Sequence, residues 1–188
     1  GFNFANVSTF GVIGPNATVA GSGTVYLQGP TRENGELVAD NNNLAAPSLS
    51  TPILGASGAT LALTNFRVRR GARAKLDSTL SLAGTLDISG GEFAAGNRIL
   101  ADTTTLASNA VLTHLATTAT TTFKMDLNVR TLSVDSTSRI DVSGLGFLAA
   151  GRPGNLTSRG MTLGFQQGSF DLSGGSYGGI GGSGGSSV

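Results

Sequence analysis

Along most of the chain, apolar residues alternate with small or polar ones in short bursts that close on glycine. The clearest burst is Leu86-Asp87-Ile88-Ser89-Gly90. The same order of apolar, Asp, apolar, Ser, Gly returns at Ile140-Asp141-Val142-Ser143-Gly144 and at Phe170-Asp171-Leu172-Ser173-Gly174. Val25-Tyr26-Leu27-Gln28-Gly29 keeps the apolar pair and the closing Gly. A second alternating burst precedes three of these strings, at Leu80-Ser81-Leu82, Leu132-Ser133-Val134 and Met161-Thr162-Leu163. Successive side chains of a strand point to opposite faces, so apolar residues at i and i+2 bury one face while Asp, Ser or Tyr between them meets water. Each unit therefore predicts a strand, a turn, a second strand and a Gly stop. One unit cannot cover its own apolar stripe, whereas a stack of such units can.

The remaining pattern decides how the strands connect. Leu61 to Leu76 alternates through Leu61, Leu63, Phe66, Val68, Ala72, Ala74 and Leu76; Ile99 to Leu115 continues the pattern, and the Thr-rich run Thr117 to Thr122 has the β-branching that strands favour. Pro30 to Pro52 breaks it with Thr31-Arg32-Glu33-Asn34-Gly35-Glu36, Asp40-Asn41-Asn42-Asn43 and two prolines, which predicts an irregular excursion near residues 30–60. The marked strings start at Val25, Leu86, Ile140 and Phe170, an uneven spacing, so weaker coils of roughly 20 to 30 residues must lie between them. Two-residue Asn-Gly or Asp-Gly turns between alternating runs are missing, the single Asn34-Gly35 falling in the excursion. The expected architecture is all-β, a right-handed parallel β-helix (β-solenoid) of irregular coils rather than an antiparallel sandwich. It would span residues 1–173, followed by a Gly/Ser-rich extension over 174–188.

Composition narrows the class. Of 188 residues, 39% are hydrophobic and only 12% charged. Abundant Gly, Ser and Thr with scarce Glu and Lys disfavour helices, and patterned apolar content excludes disorder. A net charge of +1 gives no general pull toward nucleic acid or an anionic membrane, and no apolar run approaches the roughly 20 residues of a membrane span. The chain opens on Gly1-Phe2-Asn3-Phe4 without a leader pattern and is expected to be a piece or mature segment of a longer protein. Without cysteine there is neither a disulfide framework nor thiolate chemistry.

Candidate chemistry is sparse. Arg67, Arg69, Arg70, Arg73 and Lys75 place five of the chain's 12 basic residues on one alternating stretch. Guanidinium pairs bidentately with carboxylate or sulfate, so this stretch is the candidate site for a polyanion such as an acidic polysaccharide. A solvated face is the simpler reading. Few aromatics and no matching motif argue against nucleic acid. Asp87, Asp141 and Asp171 would form an acidic ladder if stacked, and paired carboxylates can cleave a glycosidic bond. A turn-capping Asp is the favoured reading, because a residue repeated in every unit is seldom catalytic. Asp40-Asn41-Asn42-Asn43 offers oxygens to a cation such as calcium, with a solvated loop as the simpler account. The terminal glycines lack the Asp of a calcium-binding β-roll repeat, and His114, the only histidine, is expected to be structural. No metal ligand set and no cofactor site is expected. Sequons at Asn6, Asn16 and Asn155 occur as often as chance allows in such a composition.

Ile140-Asp141-Val142-Ser143-Gly144-Leu145-Gly146-Phe147, followed by Gly174-Gly175-Ser176-Tyr177-Gly178-Gly179-Ile180-Gly181-Gly182, resembles a motif pair of very large, repetitive, mostly bacterial secreted or surface proteins of adhesin-like β-helical type. The resemblance covers about Leu127 to Gly182. It implies an extracellular or cell-surface location and a structural or adhesive role, and transfers no catalytic residue. The function expected is a structural or adhesive segment of such a protein, in contact with polysaccharide or with neighbouring domains, without membrane insertion. The alternative is a polysaccharide lyase or glycoside hydrolase acting on an acidic polysaccharide, which needs the arginine stretch and an Asp in one groove. A third reading, a phage- or pilus-like attachment module, requires a trimer or higher oligomer.

Overall fold

The alternating bursts fold as strands, and the spacing between bursts sets how the strands pair. A computed structural model describes residues 9–11, 20–44, 49–53, 59–168 and 172–175. The protein is all-β. Among the described residues there is no α-helix, one single-turn 3-10 helix at Leu163–Phe165, and no helix long and apolar enough to cross a membrane. The strands are β1 (Thr24–Gly29), β2 (Arg32–Asp40), β3 (Thr51–Ile53), β4 (Thr60–Leu63), β5 (Asn65–Arg69), β6 (Arg73–Leu76), β7 (Thr79–Leu82), β8 (Thr85–Ser89), β9 (Glu92–Ala95), β10 (Ile99–Ala107), β11 (Val111–His114), β12 (Leu127–Val134) and β13 (Arg139–Ile140). They form an eight-stranded mixed sheet and a five-stranded parallel sheet of order β13-β11-β9-β6-β3.

Parallel pairing places like on like. In the large sheet Leu61 pairs with Leu80, Leu80 with Ile99 and Ile99 with Leu127, two equal steps along the chain followed by a longer one. Phe66, Leu86, Thr104 and Leu132 make a second row, and Val68, Ile88, Leu106 and Val134 a third. In the small sheet Ala74, Phe93, Leu112 and Ile140 repeat the same two equal steps and the longer third. These rows are the core: Phe66, Val68, Leu86, Ile88, Phe93 and Leu112 are fully buried. Phe66 meets Phe93 edge to face with centroids 5.1 Å apart, tying β5 to β9 across the interior.

The turn from large sheet to small sheet explains the Ser-Gly ending of the organising string. In successive rows it holds left-handed backbone at Asn42 and Asn43, Arg70 and Gly71, Gly90, and Ser108 and Asn109. Gly90 has φ of +64°, and a Cβ there would stand 3.4 Å from the Ser108 carbonyl oxygen, so glycine suits both the conformation and the space. The turns stack through backbone bonds: Arg70 N donates to Ser89 O, Gly71 N to Gly90 O and Gly90 N to Ala107 O. In the last row, side chains supply the acceptors. Ser108 N donates to Asp135 Oδ2 at 2.7 Å, Asn109 N to Thr137 Oγ1 at 2.9 Å and Ala110 N to Ser138 Oγ at 3.0 Å.

Several expectations change. Arg32–Asp40, inside the stretch read as an irregular excursion, is a nine-residue strand with Glu36 to Asp40 buried. It pairs antiparallel with β1, so Val25–Gly29 belongs to a hairpin that turns through Pro30-Thr31, not to a parallel row. Ile140 lies in the small sheet whereas Leu86 lies in the large one, so the two matching strings occupy different places. Met161 makes only an isolated bridge to Gln167, and Leu163 opens the 3-10 turn. Phe170 and Asp171 lie outside the described residues. Thr117–Thr122 forms no strand, its turn closing through Thr118 N to Thr121 O.

By contact, the chain divides into one unit of residues Gly1–His114 and Met125–Asp141 and another of Leu115–Lys124 and Val142–Val188. The second unit is organised by short bridges and by Asn155. The Asn155 side chain is buried and its Nδ2 donates to the carbonyls of Leu148, Ala149 and Arg159, while Thr157 Oγ1 donates to its Oδ1 at 2.7 Å.

Candidate functional site

The five basic residues of the candidate polyanion site do not share one face. The turn at Arg70-Gly71 divides them, placing Arg67 and Arg69 on β5 in the large sheet and Arg73 and Lys75 on β6 in the small one. Around β5 a cluster forms. Glu36 of β2, 2% exposed, forms ion pairs with Arg67, 2.6 Å from its Nε, and with Arg32, 2.9 Å from its Nε. Asp40, fully buried, stands 2.7 Å from Arg69 Nε as an ion pair and accepts hydrogen bonds from Arg70 Nε and Nη2. Arg67 also approaches Asp87 of β8, with 3.8 Å between Nη1 and Oδ2. On β6, Arg73 pairs with Glu92 of β9 at 2.6 Å, and Lys75 is exposed.

Burial alone would push the Asp40 carboxyl up. The hydrogen bonds from Arg70 and the Asn42 amide, with the charges of Arg70 and Arg69, outweigh burial and hold it below its ordinary value. Asp40 therefore stays ionised, and its oxygens are taken up by guanidinium and backbone donors. Asn41 Oδ1 accepts from Gly11 N and its Nδ2 donates to Leu44 O. Asp40 and Asn41 thus spend their side-chain oxygens on guanidinium and backbone donors. Among the described residues no group of three His, Cys, Asp or Glu gathers in a metal-binding arrangement.

These ion pairs share a topology. Arg69–Asp40, Arg67–Asp87, Arg73–Glu92, Arg98–Asp126 and Arg130–Asp102 each join residues of adjacent rows. Arg130 reaches both carboxylate oxygens of Asp102, and this bond lowers the Asp102 pKa. Exposed pairs of this kind are each worth roughly 0–1 kcal/mol, so their main effect is to penalise a slipped register. Glu36, Asp40 and Glu92 are the partners that alternation did not single out. Their signal was opposite charge at one row's spacing, as in Asp87 after Arg67 and Glu92 after Arg73.

Of the acidic ladder's three members Asp171 lies outside the described residues, and Asp87 and Asp141 do not stack. Asp87 stands on β8 between Arg67 and Thr105, whereas Asp141 follows β13 and lies 3.3 Å from Arg139. His114 is buried at the end of β11 opposite Ala95. Asn155 spends its amide on three carbonyls; Asn6 and Asn16 lie outside the described residues. An open pocket of about 330 Å³ between β1, β2, β3 and β4 is lined by Leu37, Ile53, Leu61 and Leu63 with Thr24 and Tyr26, and among the described residues its lining has no carboxylate or basic group. Its lining offers apolar contact without acid–base chemistry.

The outward side of the large sheet is regular and polar. Thr85, Thr103 and Thr131 form one row across β8, β10 and β12, and Asp87, Thr105 and Ser133 the next. Comparison of the chain with protein-family models, curated proteins and solved structures gives no match.

Proposed function

We propose that the chain is a structural and adhesive segment of an extracellular surface protein, built as a right-handed parallel β-solenoid, in which charged side chains lock coil to coil and the outward hydroxyl rows contact carbohydrate. The observation that carries this reading is the in-register parallel repetition, with the same sequence of steps in both sheets: Leu61, Leu80, Ile99 and Leu127 in one, Ala74, Phe93, Leu112 and Ile140 near their ends or within the other. Such repetition makes a stiff element whose coils differ in corner length but not in register. The arginines favour structure over catalysis, because Arg67, Arg69, Arg70 and Arg73 each face a carboxylate of a neighbouring row. Small hydroxyl side chains on a flat face suit extended glycan contact more than a deep substrate groove.

The test is incubation of the purified chain with neutral and acidic polysaccharides, scoring retained protein and released fragments together. Retention without fragments is expected, on neutral as well as acidic polymers, since the guanidinium groups are already engaged. Fragments released from an acidic polymer would overturn the structural reading in favour of a lyase or hydrolase. Failure to be retained on any polymer would remove the adhesive half of it.

A further inference from the structure

The rows that form the core do not end covered. Leu106 and Leu112 are buried to 1% and 0%, whereas the next residues in their rows, Val134 and Ile140, are 41% and 39% exposed. Leu132, next after the buried Thr104, is 46% exposed. Among the described residues β12 pairs only with β10 and β13 only with β11, so each has one edge with no strand partner among those residues, beside these apolar side chains. After Ile140 the described residues hold isolated bridges and a 3-10 turn, and no further strand. A long strand edge with core-type residues on it is a template for pairing with another chain.

We infer that this end of the strand stack is an isologous interface, at which a second copy of the chain docks about a two-fold axis and continues both sheets. Strands related by such an axis run antiparallel, and inward residues must meet inward residues. With Ser133 on the axis, Leu132 of each copy faces Val134 of the other, and Thr131 faces Asp135. With Ile140 on the axis, Arg139 of each copy faces Asp141 of the other. Within one chain these two side chains already lie 3.3 Å apart, so opposite charges stand at mirrored positions about the apolar centre. That self-complementarity selects a second copy over an unrelated strand, since a two-fold contact requires one patch to match itself. The inference rests on pairing and exposure alone and is independent of the surface-protein reading.

Light scattering on the purified full chain across a concentration series reads the outcome, with sedimentation velocity as a second measure. A concentration-dependent dimer is expected. Leu132→Lys with Val134→Lys, at positions already exposed, should leave the β-type circular dichroism intact and raise the dimer dissociation constant by at least about tenfold. Arg139→Asp and Asp141→Arg should each weaken self-association, the first by facing Asp with Asp and the second Arg with Arg. Mixed together, the two variants should form a heterodimer. A wild-type chain that stays monomeric throughout overturns the inference, as does a dimer untouched by the two lysines. Charge variants that weaken association but fail to pair with each other overturn the two-fold register.

Discussion

Midway through the stack, Leu86 lies between Phe66 and Thr104 and is fully buried; Ile140 opens the same five-residue string at the end of the small sheet and is 39% exposed. Both strings end on a glycine with positive φ, +64° at Gly90 and +70° at Gly144. The string thus encodes a short strand followed by a left-handed turn. Its place in the stack is set by what lies one row before and after it. Leu86 has neighbours on both sides, whereas Ile140 has Leu112 on one side only among the described residues.

The largest way to break the comparison is truncation of the first apolar residue. Leu86→Ala removes a side chain packed on both sides and should cost about 2–5 kcal/mol in urea unfolding, while Ile140→Ala should cost about 1 kcal/mol or less. Equal losses would show that the two strings bear equal loads. Smaller in effect, Gly90→Ala adds a methyl to a left-handed residue 3.4 Å from the Ser108 carbonyl, for about 1–2 kcal/mol. Gly144→Ala meets nothing within 4 Å and should carry only the conformational term, about 1 kcal/mol. The mildest difference concerns acid. At Gly90 the turn bonds are all backbone, but at the last row Asp135 accepts from Ser108 and is bonded by Ser138 and Thr137, which lowers its pKa. A lowered carboxylate contributes stability that is fully present above its unfolded pKa, about 3.9, and is lost as pH falls through the folded value. Protection of the Ser108 amide from exchange, relative to that of Gly90, should therefore fall progressively below about pH 4.

Alternation made β7 and β8 legible, because Leu80, Leu82, Leu86 and Ile88 face one interior and Gly90 ends the run. It hid β2, whose burial includes two acids. Glu36 and Asp40 read as solvated until arginines from the next row, far along the chain, are brought beside them. The candidate stretch is divided between two sheets for a related reason. Arg67, Arg69, Arg70, Arg73 and Lys75 crowd into one short basic stretch, yet the left-handed pair Arg70-Gly71 turns the chain from one sheet to the other between them. Gly71 was the visible sign of that turn. The polar rows through Thr103 and Thr131 and through Thr105 and Ser133 were legible only as scattered small residues, since their regularity exists between strands and not along the chain.

The unequal step in the rows has a topological consequence. Between β10 and β12 the chain takes a longer path than between β7 and β10, and the register of Ile99 on Leu127 and Leu106 on Val134 survives the added length. Extra residues at a corner cost only the slow, logarithmic entropy of closing a longer loop. The added length is not slack: it carries Leu115–Lys124 into the second compact unit, so the chain can leave the stack, serve another unit and return while the ladder keeps count.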